Sequence, residues 1–354
     1  MVNNYCNVKF LFRCDVSPAI GLGHFRRCLT LAEKLKRRGA SVFFACRSKD
    51  FDLSKGLSNI ADDWVALEWS LTPESDVLEV IQIYRQRDID IAVIDHYGAD
   101  VPYQKALYEA GIRWLQFDGS AHQPLWADWV LNASPAAEEC AYLPLKQRDE
   151  TRLLLGPAYA LLRPEFLKWR PQVSFREKVR KILLTFGGGD DRGATVFFLE
   201  AIKYVDPAIE RIVLVSSANP RLLEIVNWVD KNDYSNVTIL VDEQEIAQHM
   251  AEADMAITAG GITTFETAIM GLPSLIVQLA DNQATNAAAW EAKGAGVNLG
   301  RLDNLTTEFI RSRTETLILN AEMRRKMAYA GFSLVDGAGS ERVAQILLNA
   351  ISRD

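Results

Sequence analysis

The stretch Gly21-Leu22-Gly23-His24-Phe25-Arg26-Arg27-Cys28 places a histidine behind two glycines, after a strand-like run from Val8 to Asp15 and at the head of a helical run that closes at Gly39. A helix start carries free N–H groups and partial positive charge, which suits a bound anion. Glycines let a bulky ligand approach the backbone. Histidine is the side chain whose ordinary titration lies nearest neutral pH. The combination points to chemistry beside a phosphate, with Asp15, at the end of the preceding strand, as a group that could orient or polarise His24.

Three further stretches carry polar groups at predicted strand ends. Gly187-Gly188-Gly189-Asp190 follows the strand-like Lys181–Phe186. It lacks the Gly-Lys-Ser/Thr of a P-loop and the spacing of a dinucleotide fingerprint, so ATP hydrolysis and nicotinamide chemistry are not expected. Its amides could cradle a diphosphate without lysine, or simply form a tight turn. Ala259-Gly260-Gly261-Ile262-Thr263-Thr264-Phe265-Glu266 offers hydroxyls and N–H groups for phosphate oxygens. Its carboxylate cannot bind phosphate but can accept from a ribose diol. The competing reading is helix capping, with Thr263 or Thr264 as cap and Glu266 as its capping-box partner. Asp281-Asn282-Gln283-Ala284-Thr285-Asn286 crowds three amides at a helix start. Capping accounts for one amide; the others suit sugar hydroxyls and carbonyls.

His96 also lies at a strand end, in Asp95-His96-Tyr97-Gly98, and ranks below His24, with Tyr97 as a ligand contact. His122 and His249 receive no role. The histidines lack metal-ligand spacing, so no metal is expected. No G-x-S-x-G elbow is present, which argues against an α/β-hydrolase serine nucleophile.

The elements that must position these groups alternate between strand and helix. The chain has 354 residues, enough for roughly two domains. Strands at Val8–Asp15, Ser41–Cys46, Asp90–Asp95, Trp114–Asp118 and Trp129–Asn132 alternate with helical patterns, and the rhythm restarts at Lys181. Long helical patterns from Thr307 to Arg325 and from Glu341 to Ile351 finish the chain. This predicts an α/β chain with two doubly wound, Rossmann-like domains facing across a cleft. The first spans 1–155 and carries His24. A Gly- and Pro-rich connection spans 156–175. The second spans 176–354 and binds the nucleotide, its last helix able to pack back on the first domain.

A net charge of −7 argues against a nucleic-acid partner. No window approaches a membrane span, and the N-terminal apolar run is too short for a secretory leader. The odd set Cys6, Cys14, Cys28, Cys46 and Cys140 shows no zinc or C-x-x-C spacing, so free thiols in a reducing, cytoplasmic compartment are expected.

These residues resemble the UDP-2,4-diacetamido-2,4,6-trideoxy-β-L-altropyranose hydrolases of pseudaminic acid biosynthesis, which look like two-domain GT-B glycosyltransferases. The resemblance runs through Arg13-Cys14-Asp15, Gly21-Leu22-Gly23-His24, Arg27-Cys28-Leu29, Asp95-His96-Tyr97-Gly98, the 156–163 run GPAYALLR, Phe186-Gly187-Gly188-Gly189-Asp190, the Gly261–Glu266 turn, Asn282-Gln283, Asp336-Gly337 and Arg342-Val343. It implies cleavage of the anomeric C–O bond with inversion, releasing UDP and free sugar, without cofactor or metal. His24 matches the catalytic histidine, as base for the attacking water, and Asn282 a second catalytic residue in the cleft. Arg13, Asp15, Gly23, Tyr97, Asp118, Gln283 and Asn286 are assigned to the substrate. Gly187, Gly188, Gly189, Asp190, Ser217, Gly261, Thr263, Thr264 and Glu266 are assigned to UDP, with Glu266 on the ribose. Phe117-Asp118-Gly119 departs from the family's Phe-Asp-Asp and bears on which sugar is accepted. The alternative activity is an inverting UDP-sugar glycosyltransferase on the same scaffold; Arg26, Arg27, Lys34, Lys36, Arg37 and Arg38 could favour a membrane, against the simpler reading of a solvated helix face.

Overall fold

A computed structural model describes residues 8–17, 20–49, 51–232, 234 and 236–351. The chain divides into two compact units. One comprises the described residues up to Leu161 together with those from Ala338 onward, and the other Leu162–Gly337. The expected connection at 156–175 thus narrows to a crossing at Leu161/Leu162, and 162–175 lies in the second unit. The terminal helix Gly339–Ile351 lies in the first. It buries Val343, Ala344, Leu347 and Leu348 in that unit's core. Gly339 permits the approach, because a Cβ there would lie 2.7 Å from the Ala160 amide nitrogen.

The first unit is a parallel sheet of β1 (Lys9–Val16), β2 (Ser41–Ser48), β3 (Asp63–Ala66), β4 (Ile91–Asp95), β5 (Trp114–Phe117), β6 (Trp129–Asn132) and β7 (Arg152–Leu155). They lie in the order β3-β2-β1-β4-β5-β6-β7. The second unit repeats the plan with β8 (Lys181–Thr185), β9 (Glu210–Val215), β10 (Val237–Val241), β11 (Met255–Ala259), β12 (Ser274–Gln278) and β13 (Val297–Arg301). Their order is β10-β9-β8-β11-β12-β13, again parallel. Central strands are buried on both faces, as parallel sheets between helix layers require.

The sequence pattern misses β3, whose residues are mostly exposed at the sheet edge, and β7, which runs into Gly156-Pro157. The single helix expected over 307–325 is two, Thr307–Leu319 and Ala321–Leu334. Asn320 breaks it, its side chain accepting from the Met323 amide as the cap of the second helix.

Side-chain alternation along β1 and β4 decides what each face of the first sheet can hold. Phe10, Phe12 and Cys14 of β1 and Ile91 and Val93 of β4 pack with helix Gly23–Arg37. Leu11, Ala92 and Ile94 pack on the opposite side with helices Pro73–Gln86 and Val101–Glu109. Arg13 and Asp15 share the parity of Leu11 and belong to that opposite side.

There they form a buried charge network rather than a substrate contact. Arg13 is fully buried; its Nε donates to Asp76 Oδ1 at 3.1 Å and its Nη1 to Asp15 Oδ1 at 2.5 Å. Arg47 Nη2 donates to Asp15 Oδ2 at 2.8 Å, and the Tyr103 hydroxyl to Asp76 at 2.9 Å. The expectation that Arg13 and Asp15 touch substrate, and that Asp15 orients His24, is therefore corrected: the pleat turns both away from the helix that carries His24. Each buried charge is compensated by an opposite one, without which its desolvation would be destabilising.

His96 lies against the same network. Its Nδ1 accepts from the Gly98 amide at 3.1 Å, and its ring meets Tyr103 edge-on at 4.9 Å. Burial, reinforced by the Arg13 charge, pulls the ring down to about 3 from its ordinary 6.5. The folded state thus keeps His96 neutral where the unfolded chain takes up a proton. Its contribution to stability is complete above about pH 6.5 and is lost as pH falls from there toward 3. Replacing it by a group that does not titrate, His96→Gln, should remove about 2 kcal/mol of the difference in unfolding free energy between pH 7 and pH 5. Urea titrations of both proteins at the two pH values measure this; equal differences would exclude a buried neutral ring.

Candidate active site

His24 sits in the first turn of helix Gly23–Arg37, which no side chain caps. Its Nδ1 lies 2.6 Å from Asp95 Oδ1. Asp95 ends β4, paired in register with Cys14, and has the parity of Ile91 and Val93, so its carboxylate faces this helix. Arg27 and Cys28 lie three and four residues beyond His24 on the same helix face. Arg27 Nε donates to Asp95 Oδ2 at 2.5 Å and its Nη2 to Oδ1, and the Cys28 thiol donates to Oδ2 at 3.7 Å. Phe117, at the end of β5, supports the Arg27 guanidinium at 4.4 Å.

Burial opposes ionisation of Asp95, but the Arg27 charge and the hydrogen bonds from Arg27 and His24 outweigh it and hold the carboxyl well below the usual range. An ionised carboxylate only accepts, so the hydrogen at His24 Nδ1 must point to it. The lone pair is then on Nε2. Among the described residues, the hydrogen-bond partners of the ring all meet Nδ1. The ring is 14% exposed, and Tyr97, itself 65% exposed, meets it edge-on at 5.0 Å. Gly23 opens the same helix. An oriented, partly exposed imidazole with its outer nitrogen basic is suited to take a proton from water or a hydroxyl.

Asp118, just past β5, has Oδ2 engaged by the Tyr142 hydroxyl at 2.6 Å and by the Ser120 and Ala121 amides. That oxygen shapes its own loop. A Cβ on the neighbouring Gly119 would meet nothing within 4 Å, so the backbone there does not demand glycine.

In the second unit the assigned UDP residues follow β8, β9 and β11. Gly187 has φ +101°, a conformation glycine adopts without strain. Asp190 accepts from the Arg192 amide at 2.8 Å and from Arg221 Nε at 3.3 Å, which ties the glycine loop to Arg221. Helix Ala194–Ile202 begins only after a further turn, in which Asp191 accepts from the Gly193 and Thr195 amides. Gly188 and Gly189 lie between. Ser217 is exposed after β9, its amide donating to Asp242 at 2.9 Å.

The loops after β11 and β12 are knitted by the predicted sugar-binding amides. Gln283 Oε1 accepts from the Gly260 amide at 3.2 Å and the Leu279 amide at 2.9 Å. Asn286 Nδ2 donates to the Gly260 carbonyl at 2.8 Å and to Thr264 Oγ1 at 3.3 Å, while the Thr264 hydroxyl donates to the Gly261 carbonyl at 2.7 Å. These atoms serve the loop itself, so any contact that Gln283 and Asn286 make with a sugar would come from their remaining amide atoms. The capping-box alternative is not built. Helix Thr263–Ile269 has no side-chain cap, Thr263 is buried in its first turn, and Glu266 pairs with Arg163 Nη2 at 3.4 Å. Asn282 is exposed in the turn Asp281–Gln283.

Sequence reasoning missed Asp95 as the residue that orients His24, and missed Arg27 and Arg163 as partners of carboxylates. Two signals were available: strand parity, and the i, i+3, i+4 spacing of His24, Arg27 and Cys28. Among the described residues, no group of three or more His, Cys, Asp or Glu is placed to hold a metal, and no helix is long and apolar enough to cross a membrane. Cys14, Cys28 and Cys46 are buried free thiols and Cys140 an exposed one; Cys6 lies outside the described residues.

Comparison with known proteins agrees with this architecture. Residues 211–338 match the glycosyltransferase family 28 C-terminal domain. The spore coat polysaccharide biosynthesis protein SpsG of Bacillus subtilis is 24% identical, over 92% of this chain and 94% of that protein. The UDP-2,4-diacetamido-2,4,6-trideoxy-β-L-altropyranose hydrolase of Campylobacter jejuni is 27% identical, over 81% of this chain and 97% of that enzyme. The crystal structure of MurG from Acinetobacter baumannii superposes with a TM-score of 0.67 at 17% identity, covering 96% of this chain and 99% of that one. This chain therefore has a two-domain, Rossmann-like α/β fold of the GT-B type and resembles the UDP-2,4-diacetamido-2,4,6-trideoxy-β-L-altropyranose hydrolases over most of its length.

Proposed function

We propose that this protein is a UDP-sugar hydrolase that cleaves the anomeric C–O bond of a UDP-linked, di-N-acetylated 6-deoxy amino sugar with inversion. The observation that carries the proposal is the Asp95–His24 pair, which leaves Nε2 of a partly exposed imidazole as a base. Water attacks the anomeric carbon on the face opposite the nucleotide and gives its proton to His24 Nε2. The bond from that carbon to the β-phosphate oxygen breaks, and its electron pair leaves with UDP. A diphosphate is a good leaving group, so one base suffices where an inverting glycosidase uses an acid as well. The Asp95 carboxylate stabilises the imidazolium that forms. Asn282, exposed beside the β12 loop, orients sugar or water, and Tyr97 flanks the base. The backbone amides of the 187–189 and 260–261 turns hold the diphosphate, and Glu266 the ribose. The likeness to the C. jejuni hydrolase supports this reading.

An inverting transferase would use the same base on an acceptor hydroxyl. The basic residues that would draw it to an anionic membrane are largely committed elsewhere: Lys36 to Asp62, Arg37 to Glu33, and Arg38 to Glu341 and Gln345. Surface charges paired in this way contribute little long-range attraction.

Incubation with a panel of UDP- and CMP-linked amino sugars, followed by NMR, tests the proposal. UDP and a free sugar of inverted anomeric configuration are expected without any acceptor. Retention of configuration, or turnover only when a glycan or lipid acceptor is added, would overturn it. His24→Asn should lower kcat by about 10²–10⁴-fold with UDP affinity unchanged, as loss of a positioned base does; near-normal turnover would remove His24 from the chemistry. Asp95→Asn should lower kcat by about a hundredfold or more at similar KM, since the ring loses its anchor and its counter-charge. Steady-state kinetics read this directly, and a change confined to KM would refute the orienting role.

A further inference from the structure

The segment that enters the second unit is bound tightly to the helix assigned to the nucleotide. Arg163 is the second residue of that unit and immediately precedes helix Pro164–Trp169. Its Nη1 pairs with Glu165 Oε1 at 2.9 Å, its Nη2 approaches Glu266 Oε1 at 3.4 Å, and its guanidinium lies over the Phe166 ring at 5.2 Å. Phe166 is fully buried, so the guanidinium stands on a rigid support. Seven residues' worth of chain further on, Arg170 donates to the carbonyls of Phe332, Val335 and Ile269, the last being the final residue of helix Thr263–Ile269. The entering segment thus grips that short helix at its middle and at its C-terminal end: Glu266 by Arg163, Ile269 by Arg170.

Glu266 is held in a specific way. Its side chain is only 10% exposed and that of Arg163 26%, so the pair is sheltered without being sealed. Arg163 takes one carboxylate oxygen, Oε1. A carboxylate accepts on both oxygens, each with two lone pairs, so with Oε1 engaged Oε2 can still accept from a ribose hydroxyl. A carboxylate pinned on one side by a planar guanidinium presents its other oxygen in a restricted direction, whereas an unpinned glutamate would spread over several rotamers.

We propose that Arg163 is a positioning residue for nucleotide recognition: by holding Oε1 of Glu266 it aims the carboxylate at the ribose diol, and so sets the preference for a ribonucleoside diphosphate. This rests on the ribose role proposed for Glu266, and the experiment separates the two. Binding of UDP and of 2′,3′-dideoxyuridine diphosphate is measured by calorimetry for wild type, Glu266→Gln, Arg163→Met, Arg163→Lys and the Glu266→Gln/Arg163→Met double variant. Wild type should prefer UDP by about tenfold, the scale of one charge-assisted hydrogen bond. Arg163→Met should lose most of that preference while binding the dideoxy ligand as wild type does. Arg163→Lys should recover part of it, and the double variant should discriminate no less than Glu266→Gln alone.

A merely structural role for Arg163 would weaken both ligands alike, and that result overturns the proposal. So does an Arg163→Met protein that still prefers UDP tenfold. A wild-type protein that binds both ligands equally, or neither, removes the ribose role of Glu266 and locates the failure in the earlier reading.

Discussion

A single buried carboxylate organises the polar cluster at the start of helix Gly23–Arg37. Asp95 ends a strand with both faces covered, where an isolated charge would be expensive to desolvate. Arg27 compensates it with two donors and His24 adds a third, both from successive turns of one helix. The interaction therefore does two things at once. It docks the helix start against β4, and it sets which nitrogen of the imidazole carries hydrogen. Removing any one partner would leave a sheltered charge without its complement, so stability and the orientation of the base are tied to the same few atoms.

The second domain follows a different logic. Its glycine turns lie past β8 and β11, and the side chains around them are spent on keeping those turns in shape. Gln283 and Asn286 bind backbone groups of the Gly260 turn, and Asp190 ties the 187–189 loop to Arg221. Preformed backbone donors need no reorganisation when an anion arrives, which is how a diphosphate can be held without a lysine. The amide side chains of Gln283 and Asn286 fix the turn, and Asn282 is the exposed member of the set.

Pleat parity separates two neighbouring clusters of charge in the first sheet. The even-handed alternation that brings Asp95 toward His24 sends Arg13, Asp15 and His96 to the other side, where they join Asp76, Arg47 and Tyr103. One cluster is partly exposed and chemically poised. The other is buried, internally neutralised, and keeps its histidine uncharged. Two histidines near the ends of adjacent elements thus have opposite environments.

Much of this was legible in the residue pattern. Alternating apolar strands and amphipathic helices specify two doubly wound domains because each element must bury an apolar face, and that periodicity is local. The glycines at 21–23, 187–189 and 260–261 mark the turns for the same local reason, and His24 is identifiable from its place at a helix start. What the linear chain did not reveal was pairing. Asp15 looked nearer to His24 than Asp95 does, because sequence distance says nothing about which strand lies beside β1. Glu266 looked like a cap for its own helix until folding brought Arg163 to it from about a hundred residues away. The return of helix Gly339–Ile351 to the first domain likewise depends on a close fit between Gly339 and the backbone of 159–160. Periodicity and turn chemistry act between neighbours and can be read one residue after another. Charge compensation and close packing act between segments remote in sequence, so only the tertiary structure decides them.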